Sequence, residues 1–225
     1  MSNKGFAVAI DGPVGVGKST TARKIAEKLG IIYIDTGAMY RAVALYNMEL
    51  GTDIKSTVEQ SIDDINIELR YIEGLQHVYL NGKDVTDKIR TPAVSENASV
   101  VAAFKSVREK LVAQQQKMAE TGSVVMDGRD IASHVLPWAQ VKIYLDADLD
   151  IRAQRRLLDL QSKGILSDTF EDVRNDTHLR DQRDKNRENS PLIRTADAIC
   201  IDTGTMTHDE VVENIITIVK QRGYI

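Results

Sequence analysis

Gly12-Pro13-Val14-Gly15-Val16-Gly17-Lys18-Ser19 is the stretch that decides the fold. It fits G-x-x-x-x-G-K-[ST], the glycine loop that cradles phosphates. Its flanks supply the setting the motif needs. Phe6-Ala7-Val8-Ala9-Ile10 is an apolar run of strand length. After the loop, Ala22, Ile25, Ala26 and Leu29 recur at i, i+3, i+4 and i+7, one face of a helix, and Gly30 stops it. Glycines let the backbone approach a phosphate, and the helix N-terminus adds partial positive charge. In such a loop Lys18 reaches the β- and γ-phosphates of a nucleotide and Ser19 binds Mg²⁺ through its hydroxyl.

The chain has 225 residues, 42% hydrophobic and 28% charged, with a net charge of −4. That is a globular composition for one large domain or a core with a small insertion. The acidic balance argues against a general nucleic-acid binder. Cys200, the only cysteine, lies in the apolar run Ala198-Ile199-Cys200-Ile201 and reads as a buried thiol. His77, His134, His178 and His208 have no metal-ligand spacing. No apolar run reaches membrane-spanning length, and the short one before Asp11 is not a signal peptide. The expected location is the cytoplasm, with no membrane partner.

Beyond the loop, Ile31 to Asp35 reads as a second strand, and Tyr40 to Leu50 as a helix. Strand C-termini are where open α/β sheets bind ligands, which brings Thr36 and Arg41 toward the expected crevice. From Ile65 the period changes to strict alternation, and Asn81-Gly82 is a hairpin signal, so a small antiparallel insert is expected at about 63–87. Pro92 marks a boundary before one long helix at about 94–120. Ser123 to Asp127 is an apolar run closing on an acid, as where a strand-end Asp helps place Mg²⁺. Val141 to Asp146 and Ala198 to Asp202 complete five short strands, and His208 to Gln221 is a closing helix. The fold class is α/β: a five-stranded parallel sheet flanked by helices, with the antiparallel insert.

Residues 151–194 are rich in arginine. Arg152, Arg155 and Arg156 share one helical face, and Arg180, Asp184 and Arg187 share another on a helix expected from about 170 to 189. Two readings stay open at this point. Such residues can form a solvated surface laced with ion pairs. They can also neutralise a phosphoryl-transfer site, which needs more cations than one lysine.

These residues together resemble the bacterial cytidylate kinases, nucleoside-monophosphate kinases that make CDP from CMP and ATP. The resemblance is carried by the loop at 12–19, Asp35-Thr36-Gly37-Ala38-Met39-Tyr40-Arg41, Ile89-Arg90-Thr91, Val107-Arg108-Glu109, Asp127-Gly128-Arg129-Asp130, and Arg180 to Arg187. It implies a CORE at about 1–35, 95–150 and 190–225, a monophosphate-binding region at about 36–94 and a lid at about 151–165. It implies that Gly12, Pro13, Val14, Gly15, Val16, Gly17, Lys18, Ser19 and Thr20 hold the ATP phosphates. Thr36, Ser99, Arg108, Asp130 and Arg187 would surround the cytosine. Arg41, Arg129 and Arg180 would hold the CMP phosphate, Asp184 the ribose, and Arg155 and Arg156 would come over ATP from the lid. Lys18, Arg129, Arg155, Arg156 and Arg180 would form the catalytic set, and Ser19 with Asp127 would hold Mg²⁺. ATP, CMP and dCMP are the implied ligands, UMP a poorer one, and the implied state is a monomer. Thr36 stands where the family often has serine, which keeps the hydroxyl.

Ser99 could instead be a plain helix position, Asp130 a turn cap, and Arg108 a surface arginine. A hydroxyl-directed P-loop kinase would want a carboxylate base, for which Asp35 is a candidate. A GTPase switch would want N-K-x-D and D-x-x-G, and neither tetrapeptide occurs.

Overall fold

The computed structural model describes residues 5–51 and 62–225. Residues 1–4 of the expected CORE and 52–61 of the expected monophosphate-binding region lie outside the described residues. In chain order the elements are β1 (Ala7–Asp11), α1 (Lys18–Leu29), β2 (Ile32–Asp35), α2 (Thr36–Leu50), β3 (Ile67–Ile72), β4 (Leu75–Leu80) and β5 (Lys83–Asp84). They continue with α3 (Pro92–Val101), α4 (Lys105–Ala119), β6 (Val124–Gly128), β7 (Val141–Asp146), α5 (Leu149–Ser162), α6 (Phe170–Asn186), β8 (Ile199–Asp202) and α7 (His208–Gln221). The chain forms two compact units, Met1–Ile32 with Gly122–Ile225, and Tyr33–Thr121.

The five-stranded sheet has the order β2-β6-β1-β7-β8. β1 is buried along its whole length because parallel strands flank it on both sides. The register aligns Asp11 with Gly128 and Tyr144, so β1, β6 and β7 bring their carboxyl ends to one edge. Ligands bind at that edge in open α/β sheets. α1 packs against β6 and α7, burying Ala22, Ile25 and Ala26. A side chain the size of Ile25 contributes about 1.5–3 kcal/mol when fully buried. α7 buries Val211, Val212, Ile215, Ile216 and Val219, the face read from its spacing. α5 and α6 pack on each other.

In the second unit β3, β4 and β5 form the antiparallel sheet. Its turns are Glu73-Gly74 and Asn81-Gly82, and Asn81 and Gly82 both take positive φ, 48° and 79°. Two such residues are what a tight two-residue hairpin demands. A core of Met39, Val78, Ile89, Val101, Val107 and Leu111 joins this sheet to α2, α3 and α4.

Four expectations about elements are corrected. The helix expected at 94–120 is two helices: the Ala103 and Phe104 amides turn back to Val100 and Val101, and Phe104 is extended at the N-cap of α4. α2 starts at Thr36, not Tyr40, because Asp35 caps it by accepting from the Ala38 amide at 2.9 Å. Such a cap contributes about 1 kcal/mol. α6 ends at Asn186, where Arg187 turns extended. Cys200 is exposed, not buried. β8 is an edge strand, and its alternation turns Ile201 inward and Cys200 outward. Among the described residues no helix is long and apolar enough to cross a membrane.

Candidate active site

The phosphate loop begins where β1 ends. Gly12 has φ +150°, and a Cβ there would stand 2.2 Å from the Leu145 carbonyl oxygen. Only glycine lets the backbone pass so close to β7. Lys18, at the first position of α1, is buried and donates to the Pro13 carbonyl at 2.6 Å. Burial pushes its ammonium down to about 7, and the Arg129 charge adds to this against Asp127, Asp184 and Asp11. These five groups therefore share one electrostatic neighbourhood. Thr20 lies exposed on the first turn of α1.

Because β6 runs parallel beside β1, its carboxyl end delivers Asp127 to the loop. Ser19 Oγ donates to Asp127 Oδ2 at 2.8 Å, so the two residues predicted to hold Mg²⁺ meet. Arg129 follows on the same strand end. Its Nε donates to Asp184 Oδ2 at 2.7 Å and its Nη1 to the Gly128 carbonyl at 3.3 Å. Burial pushes the Asp184 carboxyl up, but Arg129, Arg187 and Arg180 together hold it below the usual carboxylate range. Asp130 is buried, with Arg187 Nη2 3.6 Å from its carboxylate. It precedes a turn of π-helix at Ile131–Val135 and makes no side-chain cap to it, which sets the capping alternative aside. Arg180 lies 3.9 Å from Asp176. Its guanidinium is pushed down by burial and then by Arg129, with Arg156 adding further.

Within the first unit, Lys18 and Arg180 each lie in the field of Arg129 and Asp184. The two arginines expected on a lid, Arg155 and Arg156, have local partners. Arg155 donates to Thr203 Oγ1 at 3.1 Å and to its carbonyl at 2.6 Å, and Arg156 pairs with Asp159 at 3.1 Å. Arg152, which shares their helical register, is buried instead.

Within the second unit, Thr36 is buried on the first turn of α2. Arg41 Nη2 meets Asp35 Oδ2 at 2.8 Å. Both Asp35 oxygens are therefore engaged, one on the helix cap and one on Arg41. Arg108 is buried on α4, not a surface arginine. It donates to the Ala102 carbonyl at 3.3 Å and lies 5.4 Å from the Tyr40 ring centre. Ser99 on α3 has a buried Oγ with no hydrogen-bond partner among the described residues.

Four polar groups about the loop are not singled out as site residues by the sequence, where Arg152 reads only as one of a helical arginine face. Asp11, at the end of β1, accepts from the Ile131 and Ala132 amides at 2.9 and 2.8 Å, and burial pushes its carboxyl up to about 7. Thr203 donates to the Val16 carbonyl at 3.3 Å. Arg152 and Asp181 form a buried ion pair. The available signals are an acid closing an apolar strand, which marks Asp11, and the helical spacing that groups Arg152 with Arg155 and Arg156 without choosing among them.

This fold and loop define a P-loop nucleotide-binding protein. A family model described as cytidylate kinase matches residues 8–221. The cytidylate kinase of Lactobacillus gasseri is 50% identical over 228 residues, covering 99% of each chain. That of Shouchella clausii is 46% identical over 222 residues, covering 98% of each. Among solved structures, an uncharacterized protein from Eubacterium ventriosum aligns with TM-score 0.55 at 16% identity, over 97% of this chain and 99% of its own. A gluconokinase from Sinorhizobium meliloti aligns with TM-score 0.52 at 13% identity, over 96% and 92%. These two share the fold. The chain belongs to the cytidylate kinase family. Its activity is ATP-dependent phosphoryl transfer to CMP.

Proposed function

We propose that the loop of residues 12–20 holds the ATP phosphates and that Arg41, Arg129 and Arg180 hold the CMP phosphate. Asp184 accepts from the ribose hydroxyls, and Thr36, Ser99, Arg108, Asp130 and Arg187 surround the cytosine. dCMP is a second acceptor and UMP a poorer one. The observation that carries this reading is the shared neighbourhood of Lys18, Arg129 and Asp184. A lone phosphate loop needs no second buried guanidinium, whereas transfer between two phosphates does.

A phosphate monoester has a second pKa of about 6, so the acceptor oxygen is largely ionised at neutral pH and needs no general base. That agrees with Asp35, which is committed to a helix cap and to Arg41. The residues position the two phosphates in line and neutralise the charge that spreads over the transferring group. Arg155 and Arg156 come over ATP from a lid at about 151–165, whose closure excludes water that would otherwise take the phosphoryl group. Ser19 Oγ and Asp127 Oδ2 are hard oxygen donors 2.8 Å apart, the donor set that suits Mg²⁺ held together with nucleotide phosphates. Held there, the ion would supply positive charge against the negative charge developing on the phosphates. The reading also carries a monomeric, cytoplasmic enzyme with a CORE, a monophosphate-binding region and that lid.

An acceptor panel tests it. With Mg-ATP, ADP release should rise on adding CMP or dCMP, less with UMP, and not with AMP, GMP or gluconate. Stimulation by a hydroxyl compound alone would overturn it.

A further inference from the structure

Val14 is held by both ends of its peptide backbone. Its N–H donates to Asp181 Oδ1 at 3.0 Å, and its carbonyl accepts from Arg152 Nη1 at 3.0 Å. Arg152 and Asp181 close the circuit through their own ion pair, and Arg152 Nε donates to the Ala147 carbonyl at 2.9 Å. All three residues are buried. Beside them, a Cβ on Gly15 would stand 2.9 Å from the Arg152 carbonyl oxygen, so α5 lies directly against the loop. The Val14 amide, satisfied by Asp181, is not one of the loop's free donors.

Buried ion pairs are a poor source of stability, because apolar residues of similar volume often do as well or better. What this pair supplies is geometry. It joins α5 and α6 at one point and fixes the entry to the phosphate loop there. Asp181 follows Arg180 and precedes Asp184 on α6, and its charge also reaches Arg129.

We propose that Asp181 and Arg152 are positioning residues for the ATP side of the reaction: they set the phosphate loop at Val14 and touch neither substrate. The proposal rests on the reading that the loop holds ATP and α6 holds CMP. It separates two roles on one helix, with Arg180 and Asp184 serving CMP and Asp181 serving the loop.

The test measures binary affinities of the full chain for the non-transferable analogue AMPPNP with Mg²⁺, and separately for CMP, together with Tm. Asp181→Ala should weaken AMPPNP about tenfold or more, since a charge-assisted anchor and the loop's alignment go together. CMP affinity should fall clearly less than AMPPNP affinity, because Asp181 reaches the CMP side only through its field at Arg129 and not through a contact. Asp181→Asn, which keeps an acceptor for the Val14 amide, should restore most of the AMPPNP affinity. Unchanged AMPPNP affinity in Asp181→Ala would overturn the proposal. So would an equal weakening of AMPPNP and CMP in step with Tm, the mark of a scaffold residue. Should Asp181→Ala not fold, the double variant Arg152→Met with Asp181→Ala leaves no unpaired buried charge, and the same criteria apply to it. Absence of CMP binding by the unsubstituted chain would instead remove α6 from the CMP site, and the AMPPNP comparison would still decide the loop role.

Discussion

Arg129 Nε donates to Asp184 Oδ2 at 2.7 Å, joining the end of β6 to α6 beside the Lys18 ammonium. Burial pulls the Arg129 guanidinium down, but Asp184, with Asp181 and Asp127 adding to it, holds it above its ordinary value, so it stays charged and aimed.

Arg129→Ala should lower kcat/KM for CMP by about 100-fold or more, the scale of losing one charge-stabilising donor in a closed site. Asp184 would then lose its hydrogen-bonded partner and keep only the fields of Arg187 and Arg180. Asp184→Asn should cost less, because the guanidinium remains. Steady-state kinetics with CMP varied at saturating ATP gives both values, and a near-normal Arg129→Ala enzyme would take Arg129 out of the phosphate role.

The contact between Ser19 and Asp127 leads to a metal expectation. Asp127→Asn keeps the size of the side chain and an acceptor for the Ser19 hydroxyl but removes the charge. The Mg²⁺ concentration for half-maximal rate should rise about tenfold, with Tm nearly unchanged. An unshifted Mg²⁺ titration would place the ion elsewhere.

Stability should dip near neutral pH through two buried groups. Lys18 is held down to about 7 from an ordinary 10.5, so between these values the unfolded chain binds more protons. Its burden is full below about 7 and is relieved as pH rises. Asp11 is held up to about 7 from 3.8, so the folded chain binds more protons in that window, and its contribution is lost as pH rises through it. The two slopes oppose and meet near pH 7. Melting from pH 5 to 9 should show that Lys18→Met gains most at or below pH 7 and flattens the upper limb. Asp11→Asn should flatten the lower limb. Parallel profiles for all three proteins would contradict both assignments.

Ser99 offers a selectivity test. Its buried Oγ has no hydrogen-bond partner among the described residues, which suits an atom reserved for a base. Ser99→Ala should lower the preference for CMP over UMP by about tenfold, because a lost polar contact to one base need not cost the other. A plain structural serine would leave the CMP-over-UMP preference unchanged; Tm should hold or rise in either case, because an unsatisfied hydroxyl disappears.

The glycine loop, the five strands and the insert were legible because each rests on a local pattern: motif spacing, apolar runs and Asn81-Gly82. The meeting of Ser19 with Asp127 followed from strand order, which parallel β1 and β6 supply. Burial of single polar residues was not legible. Arg152 shares the helical spacing of Arg155 and Arg156, yet only Arg152 finds Asp181, and periodicity cannot choose among charged residues. Cys200 misled for the related reason that an apolar run does not reveal that its strand lies at a sheet edge. The break between α3 and α4 lacks any proline or glycine, since Ala102-Ala103-Phe104 carries no stop signal, and tertiary packing overrides propensity there.

Phosphorus-31 NMR of the reaction with Mg-ATP and CMP tests the central claim most directly. Transfer to the acceptor phosphate should convert the CMP monophosphate signal into the two coupled resonances of a diphosphate as ADP accumulates. A new phosphate ester elsewhere on the nucleotide, or inorganic phosphate with CMP unchanged, would contradict it.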